Sequence, residues 1–247
     1  MGSIWPLFLM GAFIMFLKTA WFKGIAGEFF INLRFSLSLD KEKYHLIKNV
    51  TLPTENGTTQ IDHIIVSEFG VFVIETKNMR GWIFGSQNQK TWTQKIYKKS
   101  YQFQNPLHQN YKHLKTLQSL LSLRNDQIFS VVAFVGGCTF KTDMPENVTK
   151  GKNYIRFIKS KYIPVLTQQE VNTIYDKICL GRLKPSYKTN REHVAHVKSV
   201  VAQKNTAQRC PKCNNNMVLR EVKRGENSGN KFLGCSTYPK CRGTLKL

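Results

Sequence analysis

The chain has 247 residues, enough for one ordinary domain with a sizeable core plus a small accessory module. Lysine and arginine number 37 against 15 aspartates and glutamates, a formal net charge of +22. That balance points to a polyanionic partner, either nucleic acid or an anionic membrane face, with general solubility as the alternative. The excess is denser towards the C-terminus: residues 1–183 carry 23 basic and 12 acidic residues, residues 184–247 carry 14 and 3. Of six cysteines, Cys210, Cys213, Cys235 and Cys241 cluster near the C-terminus, while Cys138 and Cys179 stand alone in apolar surroundings. Scattered single cysteines without a framework fit a reducing compartment.

Residues 4–17, IWPLFLMGAFIMFL, hold no charge, and Ala20, Trp21 and Phe22 extend the apolar character beyond Lys18. A bilayer core needs about 17–25 such residues. Residues 1–22 are therefore expected to be an uncleaved single-span anchor. Trp5 and Trp21 would sit at the interfaces and Lys18 would snorkel. A signal peptide would want a basic n-region, and no Lys or Arg precedes position 18. Positive charge follows the apolar run, which puts the body of the chain on the cytoplasmic side.

Gly24 to Phe35 reads as a helix with Ile25, Phe29 and Leu33 on one face and Glu28 beside them, either as an exposed first-turn carboxylate or as an acid aimed at a site. Tyr44 to Leu52 reads as a strand, closed by a turn signal at Pro53–Gly57. Gln60 to Lys77, QIDHIIVSEFGVFVIETK, reads as two strands joined by a turn at Ser67–Gly70. Residues two apart in a strand share a face, so Glu75 and Lys77 point the same way and the neighbouring strand can bring Asp62 beside them. Two carboxylates and an ammonium at the end of an apolar sheet suit Mg²⁺ and a phosphodiester.

Gly81–Phe84 and Lys90–Tyr97 read as short strands carrying Trp82 and Trp92. Asn105-Pro106 opens a helix with Leu107, Tyr111, Leu114, Leu117 and Leu121 on the apolar stripe and His108, Lys112 and Lys115 off it. Ile128–Val135 reads as a buried strand, 138–153 as a loop and Tyr154–Ile158 as an edge strand. Thr167–Glu170 forms a capping box that opens a helix to about Leu180, with Val171, Ile174, Tyr175 and Ile178 inward. Helices interleaved with strands imply a mixed α/β sheet covered on both faces. Residues 182–208 are a polar, basic linker in which His193 and His196 read as surface residues.

The C-terminal segment, 209–247, spaces its cysteines C-x₂-C, then 21 residues, then C-x₅-C. Two close pairs of thiolates suit tetrahedral Zn²⁺, and a module this small needs the metal to fold; the alternative is a pair of disulfides. Arg220, Lys223, Arg224 and Lys231 interleave with Phe232 and Tyr238. That mixture suits single-stranded nucleic acid, by phosphate pairing and base stacking. The segment CPKC…LREVKRGENSGNKFLGCSTYPKCRGT resembles the C-terminal C4 zinc fingers of bacterial type I DNA topoisomerases. The resemblance implies a zinc ribbon that binds DNA, particularly single strands, and does not imply topoisomerase activity.

Gly27-Glu28, the run IDHIIVSEFGVFVIETKN, Trp82, and Asn105-Pro106 followed by Gln109 make residues 24–135 similar to the nuclease-related (NERD) domain. That family is related to the restriction-endonuclease-like PD-(D/E)xK superfamily. The resemblance implies such a fold over 24–181. It places the first-strand acid on Asp62, the E-x-K on Glu75 and Lys77, and the helix acid on Glu28. Asp62 and Glu75 would hold Mg²⁺, Lys77 would act on the attacking water and the phosphate charge, and Glu28 would add a ligand through water. The expected activity is Mg²⁺-dependent phosphodiester hydrolysis. The alternatives are a non-catalytic DNA tether at the membrane and a basic surface serving anionic lipid.

Overall fold

A computed structural model of the chain describes residue 9 and residues 19–54, 57–184, 189, 191, 194–195, 199, 209–222 and 231–246. The chain divides into two compact units, 1–185 and 186–247. The expected anchor at 1–22 lies outside the described residues apart from Leu9 and positions 19–22, as do His193 and His196. Among the described residues no helix is long and apolar enough to cross a membrane.

The first unit is built on a five-stranded mixed sheet in the order β1-β2-β3-β7-β9. Its strands are β1 (His45–Thr54), β2 (Gly57–Ser67), β3 (Gly70–Lys77), β7 (Ile128–Phe134) and β9 (Val148–Lys150). β1, β2 and β3 form an antiparallel meander, with Ser67 paired to Gly70 across the expected turn. β3 then runs parallel to β7, and β7 to β9.

Both faces of this sheet are covered. Alternation along β2 and β3 sends Ile64, Val66, Val71 and Val73 to one face. There they meet Leu117 and Leu121 of α2 (Pro106–Leu121), and Val171, Ile174 and Ile178 of α4 (Gln168–Gly181). Ile65, Phe72 and Ile74 go to the other face. They meet Ile31 and Phe35 of α1 (Ala20–Ser38), and Tyr154, Ile155 and Ile158 of α3 (Asn153–Ser160). Burying each of these large side chains stabilises the fold by about 1.5–3 kcal/mol.

A second, four-stranded sheet, β6-β5-β4-β8, extends the unit. It comprises β4 (Gly81–Phe84), β5 (Thr91–Ile96), β6 (Lys99–Gln104) and β8 (Cys138–Phe140). Ile83, Trp92 and Cys138 pack with Val132 and Phe134 beneath it. Asn105, fully buried, ties this sheet to α2. Its amide donates to the carbonyls of Ser86, Gln87 and Gln89 while its Oδ1 accepts from the Leu107 N–H.

Several expectations are corrected. The α1 stripe of Ile25, Phe29 and Leu33 is exposed, and the buried face is Gly27, Ile31 and Phe35. On α2, Tyr111 is exposed while Asn110 and His113 turn inward. On α4, Tyr175 is partly exposed. Residues 154–158 lie in a helix rather than a strand, because Tyr154, Ile155, Phe157 and Ile158 fill one helical face. The expected loop at 138–153 contributes β8 and β9, and β6 follows the Tyr97 turn.

The second unit contains a three-stranded antiparallel sheet, β10 (Met217–Glu221), β11 (Lys231–Cys235) and β12 (Thr244–Lys246), with Cys210, Met217 and Cys235 at its core.

Candidate nuclease-like site and zinc centre

The charged end of β3 is built as the E-x-K spacing implies. Lys77 Nζ lies 2.6 Å from Glu75 Oε1, and also donates to Gln109 Oε1 at 3.0 Å. Glu75 is buried, whereas the Lys77 side chain is 20% exposed. The second Glu75 oxygen, Oε2, faces His113 Nε2 at 3.5 Å, and His113 Nδ1 meets Thr59 Oγ1 at 2.8 Å. Burial alone would push the Glu75 carboxyl up. His113 and the Lys77 ammonium outweigh that and hold it below its ordinary 4.5, so Glu75 is a carboxylate.

Asp62 reaches the same end from β2. The β2–β3 ladder runs out at His63↔Ile74, and the Asp62 carboxylate takes the next free donor, the Thr76 backbone N–H, at 2.8 Å. Burial, then the charge of Glu75, pushes Asp62 up to about 7; Glu28 adds to the rise, while the Thr76 N–H and Lys77 oppose it. Glu28 is half-buried on α1. Burial raises it as well, against a hydrogen bond with the side chain of Asn49, which sits in β1 at a left-handed φ of 50°. Gly27 lets α1 come this close: a Cβ there would lie 3.0 Å from Asn78 Cβ and 3.2 Å from Val135 Cγ2.

Glu75 and Glu28 both raise the proton affinity of Asp62, so the three carboxylates lie close enough to act on one group, and such oxygens would suit a hard divalent cation. Glu75 Oε2 fits that use, being buried with no hydrogen-bond partner. Asp62, Glu75, Lys77 and Glu28 are thus brought into one neighbourhood. Gln109, His113, Thr59 and Asn49 join them without having been assigned roles from the sequence. A signal was present for two of these: Gln109 and His113 are four apart on a helix and share a face.

In the second unit the four cysteine ligand atoms all lie within 4.8 Å of one another. The Cys210–Cys241 and Cys213–Cys235 sulfurs are 3.6 and 3.4 Å apart, and all four thiols are free. Tetrahedral Zn–S bonds of about 2.3 Å imply sulfurs about 3.8 Å apart, so the cage fits zinc. The Asn215 backbone N–H leads the contacts that pull the Cys213 thiol down to about 6, which favours the thiolate a metal needs. Arg220, Phe232 and Tyr238 line one cleft beside the cage, joined by Arg242, which is not among the residues expected there. The Arg220 guanidinium stacks over the Tyr238 ring at 5.3 Å. Lys231 lies in β11, and Lys223 and Arg224 lie outside the described residues.

Comparison with known proteins agrees with this geometry. Residues 23–135 match the nuclease-related domain, and residues 207–247 match the topoisomerase DNA-binding C4 zinc finger. An uncharacterized protein of Bacillus anthracis is 39% identical over 186 residues, covering 73% of this chain and 86% of that protein. No solved structure matches the chain.

Proposed function

This chain belongs to the nuclease-related-domain family and carries a topoisomerase-type C4 zinc finger, and from that premise we propose that it is a membrane-anchored, Mg²⁺-dependent nuclease whose ribbon captures DNA, including single strands. The observation that carries the catalytic half is the convergence of Asp62, Glu75 and Lys77, with Glu28 adjacent. Asp62 and Glu75 would hold the cation, with Glu28 contributing through water. When bound, the cation neutralises phosphate charge and lowers the pKa of a water nucleophile. The chain's own groups do the rest. Gln109 and Glu75 fix the Lys77 ammonium where it can bind an attacking water or a phosphate oxygen. His113 stands 3.5 Å from the other Glu75 oxygen and lowers its proton affinity. On this reading residues 1–22 tether the body at the cytoplasmic face of the membrane, 24–181 form the nuclease-like domain, 182–208 the linker and 209–247 the ribbon.

A second reading, DNA holding without cleavage, has one observation in its favour. Among the described residues, the group of three or more metal-ligating side chains whose ligand atoms all meet within 4.8 Å is the cysteine set and not the carboxylates. The deciding experiment incubates the full chain with Mg²⁺ or Mn²⁺ and single- and double-stranded DNA and RNA, with Glu75→Ala as control. Metal-dependent cutting lost in Glu75→Ala supports the nuclease. Salt-sensitive binding with no cutting under either metal supports the tether.

A further inference from the structure

Between Glu75 and Asp126 the chain has no acidic residue and nine lysines and arginines. The second sheet displays much of this charge. Trp82 pairs with Lys95 across β4–β5 and with Thr139 across β4–β8, so these side chains share one face, opposite to buried Ile83 and Trp92. Trp82 is 47% exposed, and its ring carries two ammonium groups, Lys141 Nζ at 4.6 Å and Lys95 Nζ at 5.9 Å from the centroid. At the sheet's edge Tyr97 is 93% exposed and sits at a turn with φ 51°, followed by exposed Lys98 and Lys99. A cleft of about 450 Å³ runs between these groups, lined by Arg80, Gly81, Trp82, Lys95, Tyr97 and Gly137. That volume lies within the range of ligand pockets.

Packing does not account for this surface. A large indole is left half in water, and no ion pair among the described residues involves a lysine of this sheet. Asp143, two residues from Lys141, lines a different cleft at the far end of β4 with Phe84, Lys90 and Thr93. The surface is also tied to the carboxylate site. Only Asn78 and Met79 separate Lys77 from Arg80. The Gln94 amide holds the Arg80 carbonyl at 2.8 Å, and Gly81 N–H bonds the Gly137 carbonyl. Gly81 is required at this corner, because at φ +80° a Cβ would strike the Lys95 carbonyl.

We propose that this sheet face binds a single-stranded stretch of nucleic acid, with a base stacked on Trp82 and neighbouring phosphates carried by Arg80, Lys95 and Lys141, beside the Asp62–Glu75–Lys77 site. Base–aromatic stacking with phosphate pairing is the general mode by which single strands are held without sequence preference. The lysines that cover the ring in the free protein sit on flexible stems and move to the phosphates as the base takes their place. The proposal rests on the nucleic-acid reading of the domain but not on cleavage.

The test uses the full chain and oligo(dT), with affinity read by fluorescence anisotropy across a salt series and contacts read by photocrosslinking to 5-iododeoxyuridine. The expected adduct is on Trp82. Trp82→Ala weakens binding roughly five- to hundred-fold, while Trp82→Phe recovers most of it. Lys95→Ala with Lys141→Ala flattens the slope of log K against log salt by about 1.4. Thermal unfolding matched to the parent shows that the variants are folded. Folded variants with unchanged affinity, slope and adduct pattern overturn the face assignment alone, whereas a parent that binds no nucleic acid overturns the wider reading with it. Loss of retention on phosphatidylserine vesicles in Trp82→Ala, with oligonucleotide affinity intact, assigns the face to lipid and also overturns the proposal.

Discussion

His113 Nε2 lies 3.5 Å from Glu75 Oε2, on the side of the carboxylate away from Lys77. A buried helix residue therefore helps to keep ionised the acid on which the proposed chemistry depends. Such supporting contacts typically change metal affinity or activity by about 10–100-fold when removed. His113→Ala is expected to lower metal-dependent cleavage within that range and to raise the Mg²⁺ concentration needed for half-maximal activity. A purely structural role would lower the fraction of active protein and leave the Mg²⁺ midpoint alone, so a metal titration separates the two.

Glu75 and Lys77 form a pair in which the carboxylate is buried and the ammonium mostly so. Breaking such a pair costs more than replacing it, since the surviving charge keeps its desolvation penalty. Lys77→Met alone is expected to destabilise the first unit by roughly 2–4 kcal/mol, and adding Glu75→Gln to recover most of that. Cleavage stays absent in both variants. Denaturant unfolding followed by activity assay reads the two effects separately, and a double variant no more stable than the single one would contradict the account.

Asp62 makes stability depend on pH in an unusual direction. Its pKa rises from 3.8 to about 7 on folding, so between those values the folded state binds more protons than the unfolded one. The contribution of Asp62 is then full below 3.8 and is lost as pH rises through about 7. His63, which burial holds neutral down to about 4, works the opposite way over an overlapping range. The comparison that isolates Asp62 is the parent against Asp62→Asn in chelator. The parent should lose stability relative to the variant from pH about 4 to about 7, and Mg²⁺ should reduce that loss.

The β2–β3 hairpin and its charges were legible because the signal is local: alternation, a turn, and three ionic groups on otherwise apolar strands. The apolar stripe of α2 is legible in Leu107, Leu114, Leu117 and Leu121, which do face the core, whereas Tyr111 is exposed and Asn110 and His113 are inward although they count as polar in any pattern. The sheet offers them partners. The Asn110 amide donates to the Val73 and Val131 carbonyls and to Ser130 Oγ, and His113 meets Thr59. β8 and β9 are not legible because each is three residues long, too short for a periodicity, and β8 finds its partner, β4, far away in sequence. YIRFI at 154–158 has the aromatic and β-branched composition of a strand, yet its apolar residues recur at helical spacing, Tyr154 donates its hydroxyl to the Ile31 carbonyl of α1, and the segment packs as a helix.

Asn105 shows how much a recognised cap can leave unread. Asn-Pro marked the start of α2, and the side chain does accept from Leu107 N–H at 2.9 Å. Its amide also donates to three carbonyls of the β4–β5 connection. Asn105→Asp keeps the cap acceptor and removes those donors, so its effect should approach that of Asn105→Ala, roughly 2–4 kcal/mol from lost and orphaned hydrogen bonds. If capping alone mattered, the Asp variant would match the parent in thermal unfolding.

Zinc removal tests the independence of the two units. Structural zinc contributes about 10–16 kcal/mol to the folding of small finger modules, so chelation or Cys235→Ala should unfold the ribbon outright. The first unit has its own core on both faces of the five-stranded sheet and none of the four ligands. Its cooperative unfolding should therefore persist in the chelated protein, at nearly the same midpoint. DNA affinity should fall through loss of the cleft built by Arg220, Phe232 and Tyr238, while any metal-dependent cutting at saturating substrate survives once Mg²⁺ is restored under a zinc-selective chelator. Collapse of both transitions together would show that the ribbon supports the first unit's fold as well as its substrate.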